Sequence, residues 1–282
     1  MTKDERKNER QEQEKALEYT VSKSNEMIQR SRYSLPLREQ RALDYAIAKI
    51  QKNDKPGKVY RVDPKEAYKI VTSADNAMGG KEYREAYQIF KGLQYRPVEI
   101  YPRAGVRVSC NWFHHVAIDE NTGTLEFEFH DMLSPYLFQL RRNFTAYYLE
   151  NTAKMKSVYG PRLYQVLKSY AMGRKVEKTF TLDEIKEAVG ASFVAVKNGR
   201  GVFEVTTIKS YEMYGKLKQA VIDPAVDDIN ECSDMRVTYE AIKTGRKVTA
   251  IKFIVNDDGY DRSERYFEQI DRERHPERYT TP

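Results

Sequence analysis

The residues best suited to do chemistry in this sequence stand in two short stretches near its end. From about Lys209 onward, Met213, Leu217 and Val221 recur every four residues, a stripe that predicts a helix with its apolar side turned inward. Helical geometry puts Tyr211, Gly215, Lys218 and Gln219 on the opposite face, flanked by Tyr214 and Lys216. Such groups suit the reading of DNA. Gln pairs bidentately with adenine, Lys reaches guanine acceptors, Tyr offers a hydroxyl and a flat ring, and Gly admits a close backbone approach. Charge is polarised along the element, with Lys209, Lys216 and Lys218 early and Asp223, Asp227, Asp228 and Glu231 late. The early half is therefore expected to face a polyanion. The second stretch is the turn Lys243-Thr244-Gly245-Arg246-Lys247, which would carry Lys243, Arg246 and Lys247 onto phosphates or into a minor groove. Taken singly, the first stretch reads more readily as an ordinary amphipathic surface helix and the second equally well as a solvated turn; it is their succession that favours DNA.

Other basic positions are secondary. Ser157 and Arg162 open a later helix and are weaker phosphate candidates. Lys81, Arg84, Arg103 and Arg107 form a corresponding set in the first half, diluted by Glu82 and Glu85. Catalytic motifs mostly fail. A phosphate-cradling loop needs glycine five residues before Gly80-Lys81 and a hydroxyl after it, and Asp75 and Glu82 stand there instead. His114 and His115 are adjacent, so a strand points them to opposite faces and they cannot readily chelate one ion. Cys110 reads as a buried thiol, and with 21 tyrosines no single one signals a nucleophile. No catalytic, cofactor-binding or metal residue is assigned.

The elements that would position these groups follow one plan twice. The first copy predicts a helix from about Leu37 to Ile50, a strand at Val59–Val62, and a helix capped by Asp63-Pro64-Lys65-Glu66. A third helix follows the Gly79-Gly80 break, then extended segments. Leu125, Phe127 and Phe129 alternate with Glu126, Glu128 and His130, the period of a half-buried strand. This hairpin could pair with a second subunit or simply pack inward. The second copy predicts a helix from Gly160-Pro161, a strand at 178–180, a capping box at Thr181-Leu182-Asp183-Glu184, and a loop at 197–201. The long helix from Lys209 comes next, kinked or divided by Pro224. Two strands, Arg236–Ile242 and Val248–Val255, close it. Residues 134–156 are read as a helical bridge between the copies.

This order predicts an α+β fold of two tandem winged helix-turn-helix domains with charged, disordered tails. The expected division is an N-terminal arm at 1–21, a first domain at 22–150, a second at 151–258 and a tail at 259–282. A length of 282 residues suits two domains, and a hydrophobic fraction of 40% suffices for real cores. The net charge of +6 and pI of about 9.0 favour a polyanionic partner. Two distant cysteines, a charged beginning and the lack of any run of about 20 apolar residues point to a cytoplasmic protein that does not engage a membrane.

Several stretches carry a family resemblance: Ser22-Lys23-Ser24-Asn25 with Met27-Ile28; Leu35-Pro36-Leu37-Arg38-Glu39-Gln40-Arg41; and Lys156-Ser157 through Arg162-Leu163-Tyr164. Asp223-Pro224-Ala225-Val226-Asp227-Asp228-Ile229-Asn230, and Gly245-Arg246-Lys247-Val248 leading into Ile251–Phe253, complete the set. In this order they resemble the initiators of theta-replicating plasmids that bind direct repeats called iterons, over roughly residues 20 to 255. The resemblance implies a first domain that mediates dimerisation, a second that makes most major-groove contacts, and no hydrolytic activity. It further implies monomers that bind double-stranded origin DNA and recruit host replication and helicase proteins, and dimers that repress their own promoter. A transcription regulator without a replication role and a metal-dependent nicking enzyme are the alternatives.

Overall fold

The computed structural model describes residues 19–73, 81–199 and 203–257. The expected tail at 259–282, nearly all of the expected arm at 1–21 and the Gly79-Gly80 break lie outside them, as does the end of the expected loop at 197–201.

The first winged-helix unit begins with β1 (Thr20–Ser24) and the short α1 (Asn25–Arg30), whose first turn is capped by the Ser24 hydroxyl accepting from Met27 N at 3.1 Å. Pro36 then precedes α2 (Leu37–Ala48), followed by β2 (Val59–Val62), α3 (Pro64–Thr72) and α4 (Lys81–Tyr95). Asp63 caps α3 from Lys65 N at 2.8 Å, with Pro64 in the first turn. The hairpin β3 (Pro97–Arg103) and β4 (Val106–Asn111) precedes the wing strands β5 (Phe113–Asp119) and β6 (Thr124–Phe129). The three-stranded sheet has the order β2–β6–β5. Leu125, Phe127 and Phe129 are buried, and Phe127 packs between Tyr60 of β2 at 5.4 Å and Phe113 of β5 at 5.1 Å. Phe90 of α4 joins this cluster, 5.4 Å from Phe127, so aromatic packing pins the wing to the third helix. Because β6 is the central strand, both of its hydrogen-bonding edges are already occupied. The option that residues 125–129 pair with a second subunit is thereby corrected.

The bridge is also corrected. Only Ser134–Leu137 (α5) and Glu150–Ala153 (α6) are helical, and β7 (Phe144–Tyr148) lies between them, antiparallel to β1 with Thr20 opposite Tyr148 and Ser24 opposite Phe144. Gln139 and Asn143 adopt left-handed backbone, with φ of 49° and 53°, which interrupts a helix. The run Phe-Thr-Ala-Tyr-Tyr favours a pleated surface over a helix.

The second unit comprises α7 (Gly160–Ala171), β8 (Val176–Thr181) and α8 (Leu182–Ala188), the last opened by a reciprocal capping box between Thr181 and Glu184. A hairpin unforeseen in the sequence, β9 (Phe193–Lys197) and β10 (Phe203–Thr207), fills most of the span before the next helix. That helix starts at Tyr214, five residues later than expected, because Tyr211 has φ 49° and Met213 serves as its exposed N-cap. It runs as α9 (Tyr214–Leu217), a π turn (Lys218–Ile222) and α10 (Asp223–Cys232). Pro224 sits in the first turn of α10, where its missing N–H costs least, directly after the π turn. β11 (Met235–Thr244) and β12 (Lys247–Asp257) close the unit in the sheet order β11–β12–β8.

The two units share one apolar cluster. Within their seam, Lys23 Nζ donates to Asp44 Oδ1 at 2.6 Å and to Gln165 Oε1 at 3.1 Å, while Tyr147 and Thr152 hydroxyls donate to Asp44 Oδ2. Both charged side chains are 3% exposed, so each depends on the other for solvation. Gly190, with φ 77°, lies so close to this seam that a Cβ there would stand 2.6 Å from the Tyr33 carbonyl oxygen. Among the described residues, no helix is long and apolar enough to cross a membrane.

Candidate nucleic-acid interface

The second unit's third helix presents two unlike faces. Leu217, Val221 and Ile222 are buried at 0 to 1% exposure, whereas Gly215, Lys216, Gln219 and Ala220 face solvent. Tyr214 is half-buried at the start of the helix. Lys216 is in no ion pair with any described residue, so its ammonium is available to an anion. The expected inward position of Met213 is corrected: it is 66% exposed, and Ile222 and Ala225 fill the core with Leu217 and Val221. The π turn shifts the later apolar positions by one residue, a shift no fixed period anticipates.

Two other expected members of the reading face are engaged within the protein. Tyr211 precedes the helix, and its hydroxyl shares a 2.9 Å hydrogen bond with the Tyr159 hydroxyl while their rings meet edge to face at 6.2 Å. Burial, reinforced by the Tyr211 hydrogen bond, raises the Tyr159 phenol well above its ordinary value. Tyr211 thus anchors the turn that launches the helix. Lys218 is half-buried and bound to Asp223 at 2.6 Å, beside the ring of Tyr239.

The wing tip is exposed throughout. β8 pairs with β12 only from Ala250 to Val255, so the end of the β11–β12 hairpin projects as a two-stranded ribbon. Lys243, Arg246 and Lys247 occupy its tip around Gly245 (φ 62°), all solvent-facing and in no ion pair with a described residue. Reach and charge suit this ribbon to a phosphate backbone.

Three of the four carboxylates in the acidic half of the helix are engaged by the protein itself, while Asp227 is exposed. Asp228, 5% exposed, accepts hydrogen bonds from Lys156 N at 2.9 Å and from Ser157 N. Asp223 takes Lys218, and Glu231 lies 3.8 Å from Lys156. Repulsion by this half is therefore smaller than its composition implied. Ser157 is half-buried, its hydroxyl accepting from Tyr159 N at 3.2 Å. Arg162 is corrected outright as a phosphate contact. It is 3% exposed, its guanidinium lies 4.1 Å over the Tyr33 ring, and it donates to the carbonyl of Ala188 at 3.2 Å. An arginine at the start of a helix that is itself in the seam has no route to solvent.

In the first unit Arg84 on α4 and Arg103 at the end of β3 are exposed and in no ion pair with a described residue. Arg107 lies 3.7 Å from Glu99, and the Lys81 side chain is outside the described residues. The hairpins β3–β4 and β9–β10 meet across the two units. His114 stacks on His130 at 4.2 Å, whereas His115 is 3.1 Å from Glu128, so the adjacent pair has separate partners. Burial pushes the Cys110 thiol up to about 12, which keeps it protonated and unreactive.

Residues 20–168 match the family described as "Initiator Replication protein, WH1", and residues 196–255 match that described as "Initiator Rep protein, WH2". The fold is also similar to a solved structure, the Pi initiator protein in complex with iteron DNA. The two are 19% identical with a TM-score of 0.65, over 86% of this chain and 99% of that one.

Proposed function

The chain belongs to the initiator replication protein family, and from that premise we propose that it starts plasmid replication by binding iterons, the repeated sequences of an origin. The second unit, residues 151–258, is the main reader: Lys216 and Gln219, with Tyr214 and Gly215, enter the major groove, while Lys243, Arg246 and Lys247 grip the backbone beside it. The first unit, residues 22–150, adds phosphate contacts through Arg84 and Arg103 and mediates self-association; as a dimer the protein represses its own promoter. Initiation proceeds by binding in the cytoplasm and by recruiting host replication and helicase proteins, not by catalysis. The observation that carries this reading is the pairing of an exposed reading face with a projecting wing, both bearing cations that no described carboxylate neutralises. The similarity in fold to the Pi initiator, which was solved in complex with iteron DNA, supports it.

The test is an anisotropy titration of the full chain against duplexes carrying the direct repeats beside its gene and against shuffled duplexes, over a range of salt. Repeats should bind at least about a thousandfold tighter. The logarithm of affinity should fall linearly with that of salt, with a slope near 0.9 per phosphate contacted. Equal affinity for both duplexes overturns the reading. A plasmid bearing only the repeats should replicate when the protein is supplied in trans and fail without it, which separates an initiator from a regulator.

A further inference from the structure

Lys218 and Asp223 are five residues apart in one helix. In an α-helix that spacing places two side chains roughly 140° apart around the axis, too far to pair. Here the π turn changes the register. The Asp223 N–H donates to the Lys218 carbonyl, an i to i+5 bond, and the same offset stacks the side chains so that Lys218 Nζ meets Asp223 Oδ2 at 2.6 Å. The other carboxylate oxygen, Oδ1, accepts from the hydroxyl of Tyr239, which stands on β11, the strand that leads out to the wing tip. The Tyr239 ring lies 5.9 Å below the Lys218 ammonium and 6.1 Å from Phe253 of the core. One carboxylate thus joins the reading helix to the wing.

We propose that Lys218, Asp223 and Tyr239 form a clamp that sets the angle between reading helix and wing, making Asp223 and Tyr239 positioning residues for sequence recognition and Lys218 a part of the clamp rather than a reader of bases. The proposal rests on the DNA-binding reading of the second unit. To reach guanine, Lys218 would have to abandon Asp223 and leave an unpaired carboxylate facing phosphates. Paired, the two carry no net charge toward the DNA. Held at a defined angle, Lys216 and Gln219 on the helix and the cations on the wing engage one duplex together; a loosened joint would weaken their discrimination at every base pair at once.

The experiment measures affinities for the repeat, for each single-base-pair variant of it and for shuffled duplex. It compares the wild type with Tyr239→Phe, Asp223→Asn, Lys218→Gln and the swap of Lys218→Asp with Asp223→Lys. Tyr239→Phe keeps the ring and its packing, so it should fold; thermal melting checks every variant. The expected result is a loss of about tenfold in the ratio of repeat to shuffled affinity, the magnitude of one charge-assisted hydrogen bond. That loss should spread evenly over base pairs in all three single variants, with an unchanged salt slope, and should be recovered at least partly in the swap. Loss of discrimination at one base pair in Lys218→Gln, with Tyr239→Phe and Asp223→Asn like the wild type, would overturn the clamp and make Lys218 a base reader. Amide exchange over residues 241–249 supplies a readout without DNA: it should quicken in Tyr239→Phe and Asp223→Asn, and unchanged exchange also overturns the clamp. A wild type that does not prefer repeats refutes the proposed function instead, and the exchange result then still decides the clamp.

Discussion

The two winged-helix units share a core order of helix, strand, helix, helix and wing, with an extra hairpin before the wing in the first and before the third helix in the second, and they dispose of charge differently. In the first, four arginines are neutralised in place: Arg38 with Glu85 at 2.8 Å, Arg61 with Glu126 at 2.6 Å, Arg96 with Glu39 at 2.8 Å and Arg107 with Glu99 at 3.7 Å. In the second, three carboxylates are turned inward. Asp234 and Asp257 flank the buried Lys168 at 2.9 and 2.6 Å, and Asp228 holds the backbone before α7, so that Lys216 and the wing-tip cations are left to solvent. The lesson is that a polyanion surface is made by where carboxylates go as much as by how many lysines and arginines there are. A paired arginine contributes little field at a distance, while an unpaired one retains its full charge for a phosphate.

The seam gives the comparison its severest test. Lys23→Met strands the Asp44 carboxylate in a buried site and should cost about 3–5 kcal/mol in urea denaturation. If both units lose stability together in a single transition, they are one cooperative body despite their different surfaces; two transitions of which only one shifts would make them independent. Next in size is the reading face. Lys216→Ala combined with Gln219→Ala should remove most preference for repeats over shuffled duplex, at about 1–3 kcal/mol per lost base contact. The same measurement on Arg84→Ala with Arg103→Ala should leave that preference in place, and a comparable loss there would reverse the ranking of the units. Smaller again, Lys243→Ala, Arg246→Ala and Lys247→Ala together should weaken repeats and shuffled duplex alike and lower the salt slope by about 0.9 per phosphate contact removed.

The smallest expected effect belongs to the first unit alone. Burial, aided by neighbouring His114 and opposed by Asp131, holds His130 below its ordinary value of 6.5. The unfolded chain then binds that proton more strongly, so the contribution is complete above 6.5 and is lost as pH falls from there through the lower folded value. Thermal melting should show a slightly lower midpoint at pH 5.5 than at pH 7.5. His130→Asn, which keeps an acceptor for Met132 N, should flatten the difference.

Much of the fold was legible where a local signal is strong. Capping residues at Asp63 and Thr181 and the alternation at Leu125, Phe127 and Phe129 each state their structure within a few residues. The wing tip and the exposure of Gly215, Lys216 and Gln219 could likewise be read from spacing. The strand at Phe144–Tyr148 was not, because its apolar residues satisfy helical and strand periods equally over so short a span and its partner lies more than a hundred residues away at Thr20–Ser24. The hairpin at 193–207 was masked by a glycine-containing polar turn that reads as a loop. Arg162 illustrates the converse: its charge reads as surface, while its place in the seam makes it interior.

What the sequence by itself determined is therefore the menu of elements, their order and the chemistry of the exposed turns, since these follow from backbone preferences and periodicities that act over a few residues. Tertiary structure alone decided which charges meet. The pairing of Lys23 with Asp44, of Lys168 with Asp234 and Asp257, and of Lys218 with Asp223 and Tyr239 depends on distances set by packing and, for the last, on a helical register widened by one residue. Electrostatic attraction has no sequence period, so the partner of a charge is known only once the chain has been folded around it.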